Sequence, residues 1–415
     1  MNHDPLKHLK FLRQALSQDK KPIGFFLSAG CPLGVDMPEK KWPLVPAVED
    51  LTKFIHSELK SKKGEEKNKF DILVEELDKA NRNVNNIEDV LSFIRGLKDV
   101  SAGSAVRGLT EKDLIKLEKD ICLKIVGKLD VILPDKQTPY HKIATWISSI
   151  DRDRPVEVFT TNYDLLLEQA FEEISVPYFD GFVGSRQSFF DLRALEDNLI
   201  PKHWTRLWKI HGSINWFQKK DKEVFRSSKT NEIDASHLIY PSHLKYEQSR
   251  KMPYLALIDQ LNRFLRQPTA LLIISGYSFN DDHLNDTIVN ALKANPTTMV
   301  IALLFDTLTF KETLRYPKAL QVSLQRSNLA IWCYDEAVIG TVRGIWKINK
   351  ETDHEEDIGN FISILMEKKK NDKGEETDED IAKYELKLGD FGKLGNFLQS
   401  LIGYNLTKDD KENEK

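Results

Sequence analysis

Six short apolar runs recur along the chain: Ile23–Leu27 (IGFFL), Val156–Thr160 (VEVFT), Leu207–Ile210 (LWKI), Ala270–Ser275 (ALLIIS), Met299–Phe305 (MVIALLF) and Leu329–Tyr334 (LAIWCY). They are almost continuously apolar, where a half-solvated strand would alternate, and a parallel strand covered on both faces requires that pattern. Helix-period stretches such as Asp164–Ile174 and Asp281–Leu292 lie between them. Strand and helix in alternation predict an α/β fold with a doubly wound, mostly parallel, Rossmann-like sheet. Sheets of this kind hold ligands at the carboxyl ends of their strands, near the point where strand order reverses.

The gap between the first two runs is too long for a simple crossover and shows only helical signals. Ile87–Ile94 and Leu114–Leu129 repeat apolar residues at spacings of three and four, while Lys60–Lys69 is charged and reads as an exposed loop. The expected organisation is a discontinuous core, residues 1–43 and 134–346, interrupted by a helical insertion at 44–133. Residues 347–415 read as a charged linker, centred on Glu367–Asp380 (EKKKNDKGEETDED), followed by a helical appendage.

Composition narrows the function. In 415 residues, 60 Lys and Arg oppose 64 Asp and Glu for a formal net charge of −4, so bulk charge attracts neither nucleic acid nor anionic lipid. No apolar run approaches the roughly 20 residues that span a bilayer, and the amino-terminal stretch lacks the apolar centre of a signal peptide. A soluble, cytoplasmic protein is expected. Cys31, Cys122 and Cys333 are too few and too dispersed for a disulfide framework or a four-cysteine zinc site, so no structural metal is expected.

Four constellations follow four of the runs. Ser28-Ala29-Gly30-Cys31 offers small residues against which a pyrophosphate could lie, or is simply a turn. Thr160-Thr161-Asn162-Tyr163-Asp164 opens a helix, where Asp164 would also serve as a cap. His211-Gly212-Ser213 places a group that titrates near neutrality where a substrate would sit, although a lone histidine is often structural. Ser275-Gly276-Tyr277-Ser278 offers further backbone and hydroxyl donors. In a doubly wound sheet these four strand ends converge, which favours a nucleotide site over four independent turns. Other signals are weaker. Asp281-Asp282-His283 reads as a helix cap before a metal cluster, and Gly103–Gly108 lacks the Lys-Ser/Thr of a P-loop. Trp204, Trp208 and Trp216 read as core packing.

Taken in order, Ala29-Gly30, Thr-Thr-Asn-Tyr-Asp, His-Gly-Ser-Ile-Asn-Trp and Ser-Gly-Tyr-Ser-Phe-Asn-Asp resemble the sirtuin-like NAD-binding family, and in combination its prokaryotic antiphage branch. The resemblance spans roughly residues 20–340. It implies that Ala29, Gly30 and Cys31 lie against the NAD pyrophosphate, with Gly276 and Ser278 as a second phosphate loop. Asn162 would hold the ribose and the attacking water, Asp164 the nicotinamide carboxamide, and His211 would be the general base. Thr161 stands in the ribose-contacting position where deacylase sirtuins carry glutamine, and Asp335 falls where the family encloses adenine.

Two departures shape the expected activity. Ser28 replaces the first glycine of the family's Gly-Ala-Gly, and no cysteine follows His211-Gly212 where the deacylases carry a zinc module. Hydrolysis of NAD to nicotinamide and ADP-ribose is therefore expected before protein deacylation, with a non-catalytic NAD-sensing assembly module as the alternative. The resemblance further implies a homo-oligomer working with a HerA-type ATPase in antiphage defence, with nucleic acid engaged only through that partner.

Overall fold

All six apolar runs form strands: β1 (Ile23–Leu27), β2 (Glu157–Thr160), β3 (Thr205–Lys209), β4 (Leu271–Ser275), β5 (Met299–Leu303) and β6 (Leu329–Trp332). The computed structural model describes residues 1–62, 64–101, 103–185, 187–228, 235–239, 253–348, 360–370 and 376–403. The six strands lie in the order β3-β2-β1-β4-β5-β6, every neighbouring pair parallel. This is the doubly wound order, with its reversal between β1 and β4. Tyr178–Phe179 extends the sheet beyond β3, and beyond β6 lie Glu336–Ile339, Val342–Trp346 and Asn2–His3.

Continuous apolar character has the expected cause. Along β4, Leu271 and Ile273 enter one apolar cluster while Leu272 and Ile274 enter the other; β5 divides Ile301 and Leu303 from Val300 and Ala302 in the same way. Successive side chains point to opposite faces, so burying both faces requires an apolar residue at every position. Helices Tyr254–Leu265, Asp282–Ala294 and Pro317–Leu324 cover one face. Gly24 in β1 lets Phe264 pack there, since a Cβ would stand 2.7 Å from its ring.

Helices Pro5–Leu16, Pro139–Ser148 and Leu166–Glu173 cover the other face, and the insertion joins the same cluster. The insertion holds four helices, Val48–Leu59, Lys69–Lys79, Ile87–Val100 and Glu111–Leu129. Their starts are marked in the sequence: Asn68 with Asp71, and Thr110 with Asp113, form reciprocal capping boxes, and Asn86 caps the third helix. Leu114, Leu117, Ile121, Ile125 and Leu129 make the buried stripe of the longest helix.

Two regions differ from the sequence reading. Between 347 and 415 the described residues form an antiparallel hairpin, Ile362–Lys370 with Glu376–Leu386, before helix Phe391–Ser400. That helix buries Leu394, Phe397 and Leu398 in the main cluster, with the Phe391 ring 5.0 Å from that of Tyr140. It is part of the core, because its apolar residues share one face. Part of the expected linker, 371–375, lies outside the described residues. The second difference is an antiparallel sheet in the order Ala235–Ile239, Gly212–Lys219, Val224–Arg226, Ser188–Phe190, Phe182–Val183. Its longest strand, Gly212–Lys219, starts immediately after His211. Trp208 and Trp216 are buried core residues, as expected.

Candidate functional site

The loops after β1, β2, β3 and β4 meet at the reversal point around a cavity of about 390 Å³, a size usual for small-molecule sites at roughly 300–1,000 Å³. Ala29, Thr161, Asn162, Asp164, His211 and Ser278 line it. The opposite wall comes from the insertion: Val48 and Leu51, Glu88 and Leu91, Ile125 and Leu129. Polar strand ends thus face an apolar helical wall.

Gly30, Cys31 and Gly276 do not line the cavity. A Cβ on Gly30 would meet the Gly276 Cα at 2.8 Å, and one on Gly276, whose φ is +69°, would meet the Cys31 nitrogen at 2.6 Å. Both glycines exist because the two reversal-point loops cross in contact, sealed by the Gly30 amide donating to the Gly276 carbonyl at 2.9 Å. Cys31, expected against a cofactor, is instead packed behind the cavity wall. Its thiol is fully buried and donates to the Ser275 carbonyl at 3.3 Å, its amide donates to the Ser28 carbonyl, and burial pushes the thiol up to about 12. Asp335 is likewise not at the cavity; it accepts the Leu308 amide. The Ala29 amide, by contrast, carries no hydrogen bond among the described residues, so a free donor stands at the crevice.

The loop after β2 is held at almost every polar atom. The Asn162 amide donates to Thr160 Oγ1 at 3.0 Å and its side-chain Nδ2 to the Ser28 carbonyl at 3.3 Å. Ser28 and Thr161 hydroxyls share a 2.7 Å bond, tying this loop to the one after β1. The Tyr163 carbonyl accepts the Ile214 amide and the Ser213 hydroxyl, both from the antiparallel sheet. The Tyr163 phenol donates to Glu88 of the insertion at 3.0 Å. Asp164 accepts the Leu166 amide at 3.1 Å, so its carboxylate does help start the following helix. Burial raises the Asp164 acid above its ordinary range, against the pull of nearby Lys209.

Lys209 was not read as a site residue. It lies in β3, 1% exposed, bonds the Asp164 carbonyl, and pairs with Glu168 Oε1 at 2.7 Å. Burial raises the Glu168 acid, with Lys209 opposing. A lone lysine inside the run LWKI was its sequence signal, because a charge in a doubly covered strand must be paired.

His211 is held at the turn between β3 and Gly212–Lys219. Gly212 has φ +93°, and a Cβ there would stand 2.1 Å from the Leu238 carbonyl. The glycine therefore serves strand Ala235–Ile239, leaving the histidine at the crevice. Its Nε2 lies 3.5 Å from Asp281 Oδ2. The other oxygen of Asp281 accepts the amides of His283 and Leu284 at the start of helix Asp282–Ala294. The expected cap is present, and the same carboxylate also faces the imidazole. The carboxylate thus stands within reach of the ring and can help to fix its orientation.

Residues 156–324 match the SIR2-like domain, a stretch that contains Asn162, His211 and Ser278 but not Ala29. No curated protein matches the chain. Among solved structures, a Sir2 enzyme studied for its mechanism and regulation is 11% identical, with 73% of this chain and 86% of that one covered. A Sir2 homolog–NAD complex is also 11% identical, covering 72% and 82%. The TM-scores are 0.31 and 0.30, so the fold assignment rests on this chain's own strand order and register. Among the described residues no helix is long and apolar enough to cross a membrane, and no group of three His, Cys, Asp or Glu side chains could hold a metal ion.

Proposed function

We propose that the carboxyl-end cavity binds NAD and that the protein hydrolyses its nicotinamide–ribose bond. One observation carries this reading: Asn162 and His211, from loops after different strands, line one cavity at the reversal point, with a carboxylate behind the imidazole. The SIR2-like match over both residues and the free Ala29 amide support it. Nicotinamide is cationic in NAD and leaves neutral, so the bond needs little acid assistance. The requirement is to position the ribose, stabilise developing positive charge and deliver water. Asn162 would orient that water, and His211 would take its proton as the C–O bond to ribose forms, giving ADP-ribose, nicotinamide and a proton. Buried Asp164, its acid raised above the ordinary range, would face the carboxamide.

The reading extends to a NAD-depleting effector of antiphage defence, cytoplasmic and self-assembling, that works with a HerA-type ATPase. The support for that extension is the order of motifs given above. Incubating the purified chain with NAD, with and without such an ATPase, and following nicotinamide and ADP-ribose tests the chemistry; size measurement tests assembly. Binding without turnover under every condition would assign the chain to nucleotide sensing.

A further inference from the structure

The amino-terminal end of the same sheet holds a second, larger concavity of about 1,080 Å³. It is lined by Glu157 and Arg206 near the start of β2 and β3, by Trp208 further along β3, by Asp151–Pro155 and by Gln260 and Arg263 of helix Tyr254–Leu265. Six Lys and Arg side chains surround it against three carboxyl groups. The arginines are engaged in an unusual way. Arg152 donates to the carbonyls of Leu16 and Gln18, and Arg206 to those of Ile200, Pro201 and Trp204. Arg154 donates to Gln267 Oε1 and Arg263 to the Leu195 carbonyl.

Among the described residues none of the four forms an ion pair, although Arg206 stands near enough to Glu157, and Arg152 to Asp19, to feel their charge. Neutral oxygens orient the guanidiniums, and with six cations against three carboxyl groups a net positive potential remains in a walled recess that focuses it. Glu157 is tied to Trp208 Nε1 at 2.8 Å and to Gln267 Nε2 at 3.3 Å. Burial raises its acid, against the pull of Trp208, Arg206 and Gln267.

We propose that this concavity binds a small phosphate-bearing ligand of nucleotide size, separately from the carboxyl-end cavity. Planar guanidinium forks suit phosphate oxygens, and several around one recess suit a ligand with more than one phosphoryl group. A recess favours a compact ligand over a polynucleotide, which would need a basic track, and a chain of net charge −4 supplies no wide attracting field.

Calorimetry with inorganic tripolyphosphate, ATP, a glutamate-rich peptide and a single-stranded oligonucleotide tests this. Tripolyphosphate and ATP should bind saturably and more weakly as salt rises. Arg154→Glu/Lys202→Glu, at two exposed positions, should weaken that binding at least about tenfold without lowering the melting temperature. Ala29→Trp and Ser278→Trp, which fill the other cavity, should leave it unchanged. Four results would overturn the proposal: no saturable binding of either phosphate probe, equal binding by the double variant, loss in both tryptophan variants, or preference for the peptide or oligonucleotide.

Discussion

At the carboxyl end of the sheet, polar groups are tied to one another: Ser28 to Thr161, Asn162 to Ser28, Lys209 to Asp164 and Glu168, Asp281 to His211. At the amino end the four arginines are oriented by neutral oxygens, and cations outnumber the carboxyl groups around them. Identical strands produce both ends, so the difference lies in the loops. One end is pre-organised by bonds among its own polar groups, the condition that stabilising a transition state would demand. The other is organised around cations held by backbone and amide oxygens, a condition that would suit binding an anion.

The contrast can be broken most sharply at Asn162 and His211. Each alanine variant should keep its melting temperature yet lose nicotinamide release by about 100-fold or more, the usual scale for a positioned acid or base. Undiminished release in both would remove the carboxyl end from the chemistry.

Next in size is Lys209→Met. It leaves a buried Glu168 carboxylate without its cation and should cost about 3–5 kcal/mol of stability in urea unfolding at neutral pH. The Glu168 acid already lies above its ordinary range and would rise further. A carboxyl raised on folding stabilises fully below its unfolded value and loses that contribution as pH climbs through the folded value. The deficit of the variant should therefore shrink as pH falls from neutral toward about 5, and Lys209→Met/Glu168→Leu should recover most of it.

Asp281→Asn separates two roles of one side chain. Asparagine still caps a helix, but it no longer sets a carboxylate against the imidazole. Nicotinamide release should fall about tenfold at an unchanged melting temperature if the carboxylate positions the ring. A purely capping role leaves release unchanged. The smallest effect belongs to Tyr163→Phe, which cuts the bond to Glu88 for about 1 kcal/mol. KM should rise with kcat nearly unchanged if the insertion wall shapes the cavity without taking part in the reaction.

The six core strands were legible because burial on two faces writes itself as unbroken apolar runs. Their order was not, since nothing local in Ile23–Leu27 says that its neighbours are Glu157–Thr160 and Leu271–Ser275. The antiparallel sheet escaped notice because several of its strands are two or three residues long, too short for any period to show. The hairpin of Ile362–Lys370 was masked by charges such as Glu367 and Lys368, which a two-stranded ribbon tolerates. At the site, motifs located Asn162 and His211. Motifs could not show that the glycines at 30 and 276 serve each other, nor that the second oxygen of Asp281 faces a histidine 70 positions earlier.

The placement of the insertion between β1 and β2 also bears on how the molecule is made. Gly24 pairs with Glu157 and Ile23 with Leu271, so the middle strand of the sheet finds both partners far along the chain. Closing such loops is slow, whereas the insertion helices form from local contacts. Once folded, the insertion packs its first helix, Val48–Leu59, against its last, Glu111–Leu129, and shortens the effective loop between β1 and β2. The wall of the carboxyl-end cavity would then also be a folding aid, assembled before the crevice it encloses.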